Sequence, residues 1–244
     1  MRIEQASSST VSDVWGGIED KVQGAGRLEE AAQELAAAIH NTFEESVTIA
    51  RVFVTVPFGS LPEANQSFVR SLAESAGAAE DLKDTVPVLS LIGSHGEEDS
   101  WKDRRQSQGH VGIPLLSSAF VGAIPMISRL LKELGVPLEW VDKHDSEMII
   151  RTMGHSAGLF FVDEAGDAED NEGRKIIAAQ DFVSQYGVRS VFGTGGAYPG
   201  GQIVVLVVFC RDAFARATAE RFLSLTNLFV SQTSALADPE KVFS

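Results

Sequence analysis

Cysteine is almost absent from this 244-residue chain. Cys210 stands alone, which excludes an intrachain disulfide, redox cycling within one chain and a thiolate-rich zinc site. Long apolar runs are missing too. The longest, Ile203–Cys210, holds 8 residues, far short of the roughly 20 that a membrane-spanning helix requires. No membrane partner is expected. Basic residues are scarce: 20 Lys and Arg stand against 34 Asp and Glu, a net charge of −14, with no Lys/Arg run and no RNA-binding aromatic motif. Such a surface repels a phosphate backbone, so nucleic acid is excluded as a partner. The first 13 residues lack an apolar stretch after a basic start, so no export signal is expected. With the lone thiol, this places the protein in the cytoplasm. There is no internal repeat.

What is present is enough apolar material, 44% of residues, for one large core. The expected organisation is a partly disordered extension over 1–26, one domain over 27–236 and a tail over 237–244. LEEAAQELAAAIHNTF sets Leu28, Ala32, Leu35 and Ile39 on one helical stripe with glutamates at its start. That narrow, alanine-rich stripe suits another helix, including one from a second subunit. VTIARVFVTV, stopped by Pro57 and Gly59, reads as a strand, followed by a helix over 64–76 and a short strand, PVLSLIG, closed by Gly93.

Residues 94–112 show neither period and read as a long loop. Ser117 and Ser118 offer caps to a helix carrying Ile124, Ile127, Leu131 and Leu134, ended by Gly135, with Pro125 imposing a kink or a late start. Residues 147–153 and GLFFVDEA read as strands. SVFGTGGAY and IVVLVVFC form a hairpin around Pro199, Gly200 and Gly201, and the second strand, apolar on both faces, must be central. A closing helix over 213–235 carries Ala215, Ala219, Phe222, Leu225 and Phe229. The class is therefore α/β of the α+β kind, an antiparallel sheet covered by helices.

Several groupings bear on chemistry. The loop SHGEEDSWKDRRQSQGH gathers His95, Trp101, Arg104, Arg105 and His110, a set able to hold a planar anion. The competing reading is a solvated loop in which Asp99 and Asp103 neutralise the arginines. The five histidines, His40, His95, His110, His144 and His155, lack metal-site spacing, so no metal is expected. DEAGDAEDNE does not match a calcium loop, and GTGGAYPGG precedes a strand and lacks the Lys-Ser/Thr ending of a phosphate loop. Ser156 in GHSAG fits Gly-x-Ser-x-Gly, but no histidine follows His155 to complete a hydrolase triad in that order.

Residues 178–232 carry Tyr186, Gly187, Val188, Arg189 and Ser190 ahead of a strand, a turn, an apolar strand, Phe214 and a long helix. This resembles the C-terminal half of a GAF domain. With the first helix and strand in place, the resemblance spans residues 28–235. It implies a central antiparallel sheet of about six strands, terminal helices packed on one face and a pocket under loops on the other. It also implies a non-catalytic sensor of a small molecule, homodimeric through its terminal helices, that signals to a partner or fused effector. The candidate ligand-binding set, read from residue type in a loop that has no counterpart in the family and from apolar residues able to line a pocket, is His95, Trp101, Arg104, Arg105, His110, Phe161 and Phe192. No cofactor is specified, though a haem would use a histidine and the apolar wall of Phe120, Phe160, Phe161 and Phe192. Cys210 does not match the bilin-attaching position, the cyclic-nucleotide signature is missing, and one cysteine is too few for a methionine sulfoxide reductase. The alternatives are a scaffold with a closed pocket and a serine hydrolase using Ser156. The chain reads either as a stand-alone sensor or as the input half of a longer protein.

Overall fold

The two β-branched runs become neighbouring central strands. In the computed structural model, which describes residues 1–107, 109–143, 146–153 and 157–244, the strands are β1 (Val47–Pro57), β2 (Pro87–Gly96), β3 (Gly112–Pro114), β4 (Gly158–Val162), β5 (Ser190–Ala197) and β6 (Ile203–Cys210). They pair antiparallel throughout in the order β3-β2-β1-β6-β5-β4. Before β1 come α1 (Ser8–Gly16), α2 (Glu19–Gly24) and α3 (Leu28–Thr42), and α4 (Glu63–Ser75) links β1 to β2. Between β3 and β4 lie α5 (Ser118–Gly122), α6 (Pro125–Glu133), α7 (Leu138–Lys143) and α8 (Ser146–Met153), and α9 (Gln180–Gln185) precedes β5. After β6 come α10 (Arg216–Glu220), α11 (Leu223–Thr233) and α12 (Pro239–Val242). Among the described residues no helix is long and apolar enough to cross a membrane.

Strand periodicity divides the core in two. Ala50, Val52, Val54 and Val56 of β1, with Val204, Leu206, Val208 and Cys210 of β6, join the terminal helices in one apolar cluster. Phe53, Val205 and Val207 point the other way, into a second cluster with α6, α7 and α8. Both faces are covered, which is why these strands read as continuous apolar runs rather than alternating ones. The expected α+β sheet, with first and last helices sharing a face, is the architecture found.

The stripe Leu28, Ala32, Leu35 and Ile39 is fully used within the chain, buried against the sheet rather than left for a second subunit. Its alanines let backbone approach backbone. A Cβ placed on Gly93 would lie 2.4 Å from the carbonyl oxygen of Ala32, so Gly93 is a contact point under α3 and not the end of a strand. β2 runs on to Gly96 because Gln33 of α3 serves its backbone: the side-chain amide donates to the Ser94 carbonyl at 2.8 Å and its oxygen accepts from Ser94 N–H at 3.2 Å.

Other expectations are corrected. Residues 1–26 are not a disordered extension, since Val11, Val14, Trp15 and Val22 of α1 and α2 are buried over the terminal-helix layer. The stretch 147–153 is helical: Ile149 and Met153, four apart, are buried while Ile150 is 41% exposed, a helical face that a three-residue apolar run concealed. The sixth strand is instead β3, three residues long, at the end of what read as loop. Pro125 starts α6 as its first residue, the late start it allowed. The closing helix breaks at Arg221 and Phe222, where Phe222 wedges between the rings of Phe43 and Phe192, at 5.5 and 5.1 Å, and hydrogen bonds shorten to three-residue spacing. Thr194 to Thr226, at 2.6 Å, and Tyr198 to Thr233, at 2.8 Å, fasten α11 to β5.

The tail is also held. Glu29, only 4% exposed, pairs with Arg104 and with Arg105 at 2.9 Å, and accepts from the N–H of Ser244 at 2.9 Å and from its hydroxyl. Burial raises the Glu29 pKa, but the Ser244 hydrogen bonds and the Arg104 charge outweigh it and leave a net lowering.

Two outcomes follow. Gly93→Ala should destabilise the chain by about 2–3 kcal/mol in urea, because rigid backbone has nowhere to yield, whereas Gly24→Ala, with nothing within 4 Å of the new methyl, should cost nothing. Glu29→Ala should cost about 3 kcal/mol or more by stranding buried Arg104 and should open residues 239–244 to hydrogen exchange. Because the folded Glu29 pKa is depressed, the wild-type clamp is fully present above the unfolded carboxylate pKa, about 4.3. It is lost as pH falls through the lower folded value, so exchange of the tail should accelerate in acid below about pH 4.

Candidate functional site

On the face away from the terminal helices, one end of the second cluster does not close. A cavity of about 280 Å³ lies over β1, β2 and β6, walled by Ile49, Arg51, Phe53, Leu89, Val207 and Phe209 from the sheet. The first turn of α6, from Ile124 to Ile127, residues 176–179 and the side chains of Trp101, His110 and Phe182 complete it. The α6 end of this wall carries no side-chain cap, so the positive pole of that helix borders the space. Trp101 is set by aromatic neighbours, its ring centroid 4.8 Å from that of Tyr186 and 5.8 Å from that of Phe182, which in turn meets Phe209 at 5.5 Å.

Arg51 is the charged group in this wall. Strand alternation places it with Ile49 and Phe53 on the cavity face, where its Nη2 donates to Ser107 Oγ at 3.2 Å and its Nη1 to the Gly109 carbonyl at 3.3 Å. Its buried Nε has no partner, and among the described residues no carboxylate pairs with it. Burial pushes its pKa down to about 10, so it stays charged at neutral pH. His110, beside it, is held at φ 56°, in the left-handed region that non-glycine residues seldom occupy. It lines the cavity from an exposed position, and desolvation, followed by the Arg51 charge, lowers its pKa below the ordinary imidazole value.

The expected ligand set divides. Trp101 and His110 do line the cavity. Arg104 and Arg105 do not; both are committed to Glu29, and Arg104 also lies over the Phe243 ring at 4.8 Å. The shallow depression beside them, about 290 Å³, carries Glu29, Glu30, Glu34 and Asp103 against Lys102, Arg104 and Arg105, leaving no surplus cation for an anion. Phe161 and Phe192 fall on the opposite face of the sheet, packed with Phe214 and Phe222. The alternation that put Phe160 toward the cavity side necessarily turned Phe161 away. His95 sits near His40, ring centroids 5.1 Å apart, outside the cavity wall. Burial lowers the pKa of each, and His40 Nε2 and His95 Nδ1 have no hydrogen-bond partner.

Arg51 escaped the sequence reading although its signal was present: one cation inside VTIARVFVTV, with apolar neighbours two residues to either side. Residues 176–179 had no signal, being an irregular segment recruited by packing. Gly154, His155 and Ser156 of the GHSAG motif, like His144, lie outside the described residues. Among the described residues no cluster of His, Cys, Asp and Glu is arranged to hold a metal.

No family model matches the chain, and no curated protein matches its sequence. Among solved structures it is similar to the GAF domain of a phosphoenolpyruvate-protein phosphotransferase from Acinetobacter, at 13% identity and TM-score 0.44, over 92% of this chain and 93% of that one. It is similar to the corresponding GAF domain from Coxiella burnetii, at 10% identity and TM-score 0.48, over 94% and 96%. A phycocyanobilin-bound GAF domain from a cyanobacterial phytochrome gives 10% identity and TM-score 0.49, over 93% and 94%. These are likenesses of outline. The GAF-like fold rests on the sheet itself: six antiparallel strands, first and last helices on one face, and a cavity on the other.

Proposed function

We propose that this chain is a sensory module of the GAF kind that binds a small molecule in the cavity over β1, β2 and β6 and performs no chemistry on it. The observation that carries this reading is the cavity: a mostly apolar wall on which a few polar groups, Arg51 and His110 foremost, converge from different elements. A scaffold has no need to keep such a space open against the hydrophobic effect. A catalyst needs a nucleophile or a general-acid and base pair, and among the described residues the wall contains no Ser, Thr, Cys, Lys, Asp or Glu.

The tetrapyrroles do not fit. Covalent bilin attachment requires a thiol in the cavity, and Cys210 is fully buried in the cluster on the other face of the sheet, where burial raises its pKa. A haem is larger than a space of about 280 Å³, which lies just below the roughly 300–1,000 Å³ range of ligand pockets. The ligand is therefore smaller than either. Relay to an effector in the cytoplasm runs through the terminal-helix layer. A homodimer formed there meets the outer sides of α1, α2 and α11, because α3 is already covered by its own chain.

A small-molecule library scored by thermal melting of the full chain tests this. At least one compound should raise the midpoint by about 5–10 °C when present at about a hundred times its dissociation constant. Ala179→Trp, which fills the cavity mouth from an exposed position, should leave the unliganded midpoint within about 2 °C and abolish the shift. A library without a hit, or hits indifferent to Ala179→Trp, would overturn the reading.

A further inference from the structure

The chain carries 34 carboxylates and a net charge of −14, yet among the described residues no carboxylate reaches the cavity wall. A charged guanidinium lies there without an anion. That is a costly arrangement, since an uncompensated cation loses hydration and regains little from a hydroxyl and a carbonyl. Two other arginines with structural contacts are paired with carboxylates: Arg104, the most buried of the paired arginines, meets Glu29 directly, and Arg129 has Glu133 at 2.7 Å. Arg51 differs from these two and lies in a cavity where a ligand can supply the missing charge.

We propose that the cavity takes a small organic monocarboxylate, its acid group on Arg51 beside His110 and its apolar body against Phe53, Leu89, Val207 and Phe209. This rests on the reading of the cavity as a ligand site and adds the chemical class of the ligand. The guanidinium has five N–H donors, of which two are given to Ser107 Oγ and the Gly109 carbonyl. The remaining donors suit the two oxygens of a carboxylate. His110 has a ring N–H to offer a second contact, and the uncapped α6 terminus favours the same sign.

Charge matching selects a monoanion. One buried cation compensates one negative charge, and a phosphate dianion would leave the excess in an apolar wall. The volume, about 280 Å³, and the preponderance of Ile, Leu, Phe, Val and Met in the wall select a short aliphatic or aromatic acid over a polar metabolite of the same charge.

Calorimetry on the full chain tests the class directly. Hexanoate, phenylacetate and indole-3-acetate are titrated beside hexanamide, phenylacetamide and indole-3-acetamide, with inorganic phosphate as a further probe. At least one acid should bind at least tenfold more tightly than its amide, phosphate should not compete with it, and Arg51→Gln should erase the difference between acid and amide. The comparison of acid with amide on the wild-type chain stands even where Arg51→Gln fails to fold. Equal binding of acid and amide overturns the carboxylate proposal and leaves the ligand site intact. Phosphate competing as well as the acid overturns the organic part. Failure of every acid, with neutral library hits still sensitive to Ala179→Trp, overturns the proposal alone; failure of every compound in both experiments overturns the site as well.

Discussion

The pairing of β1 with β6 is the constraint on which the rest of the molecule depends. Because the strands are antiparallel, β1 begins where β6 ends, Val47 opposite Cys210. The helices that enter β1 and leave β6 therefore meet at the same end of the sheet. That junction is locked: Arg211 N–H donates to the Ser46 carbonyl at 2.8 Å, and the Ser46 hydroxyl bonds Asp212. Each half of the chain then runs outward from the centre, β1 to β3 on one side and β6 back through β5 to β4 on the other. With the terminal helices committed to one face, the helices between β3 and β4 are left to cover the second. The cavity arises in that second layer.

The two layers differ in how closely they can approach the sheet. On the terminal-helix side, alanines on α3 and Gly93 on β2 bring backbone against backbone. On the other side the close approach is confined to one end of α6. A Cβ on Gly195 would lie 2.5 Å from Leu134 Cδ1, and one on Gly158 would lie 2.6 Å from the Leu134 Cα. The helix is thus seated over β4 and β5 at its C-terminal end, whereas its first turn stands over β1 and β6, where Phe53 and Phe209 project and no glycine invites contact. Close packing at one end and bulky side chains at the other leave a gap under the first turn. Filling that gap with larger side chains is an easy evolutionary step for a fold that does not need it.

Local pattern revealed what local chemistry decides. Long stripes and β-branched runs located the first helix, β1, β5 and β6, and the resemblance around Tyr186 to Ser190 supplied the layering. Residues 147–153 failed because three successive apolar residues fit either period, and only packing of Ile149 and Met153 on one side selects the helix. β3 failed because three residues carry too little pattern, and its pairing with Val88 to Ser90 is a long-range event. The candidate site was legible in half. Trp101 and His110 stood out by residue type, and so did Arg104 and Arg105, but type says nothing about partners. Glu29, more than seventy positions upstream, claims both arginines. Phe161 and Phe192 were misplaced by phase: on a strand buried on both sides, apolar neighbours do not reveal which face each one takes.

That same phase relation ties the cavity to the terminal helices. Arg51 sits between Ala50 and Val52, both fully buried in the terminal-helix cluster. Under the proposed reading, a guanidinium drawn toward an anion would pull on β1 and on these neighbours across the sheet. A loosely packed layer would absorb the movement, but protein interiors are as dense as organic crystals and transmit small displacements instead of dissipating them. Here α3 lies backbone to backbone on the adjoining β2 and is clamped through Gln33 to Ser94 and through Glu29 to the end of the chain. Under that reading, a shift of β1 relative to β2 would be taken up by α3 together with the α1, α2 and α12 segments packed on it. The central strand is at once the wall of the cavity and the floor of the helical layer, and the single cation in that wall is placed on the strand that serves as both.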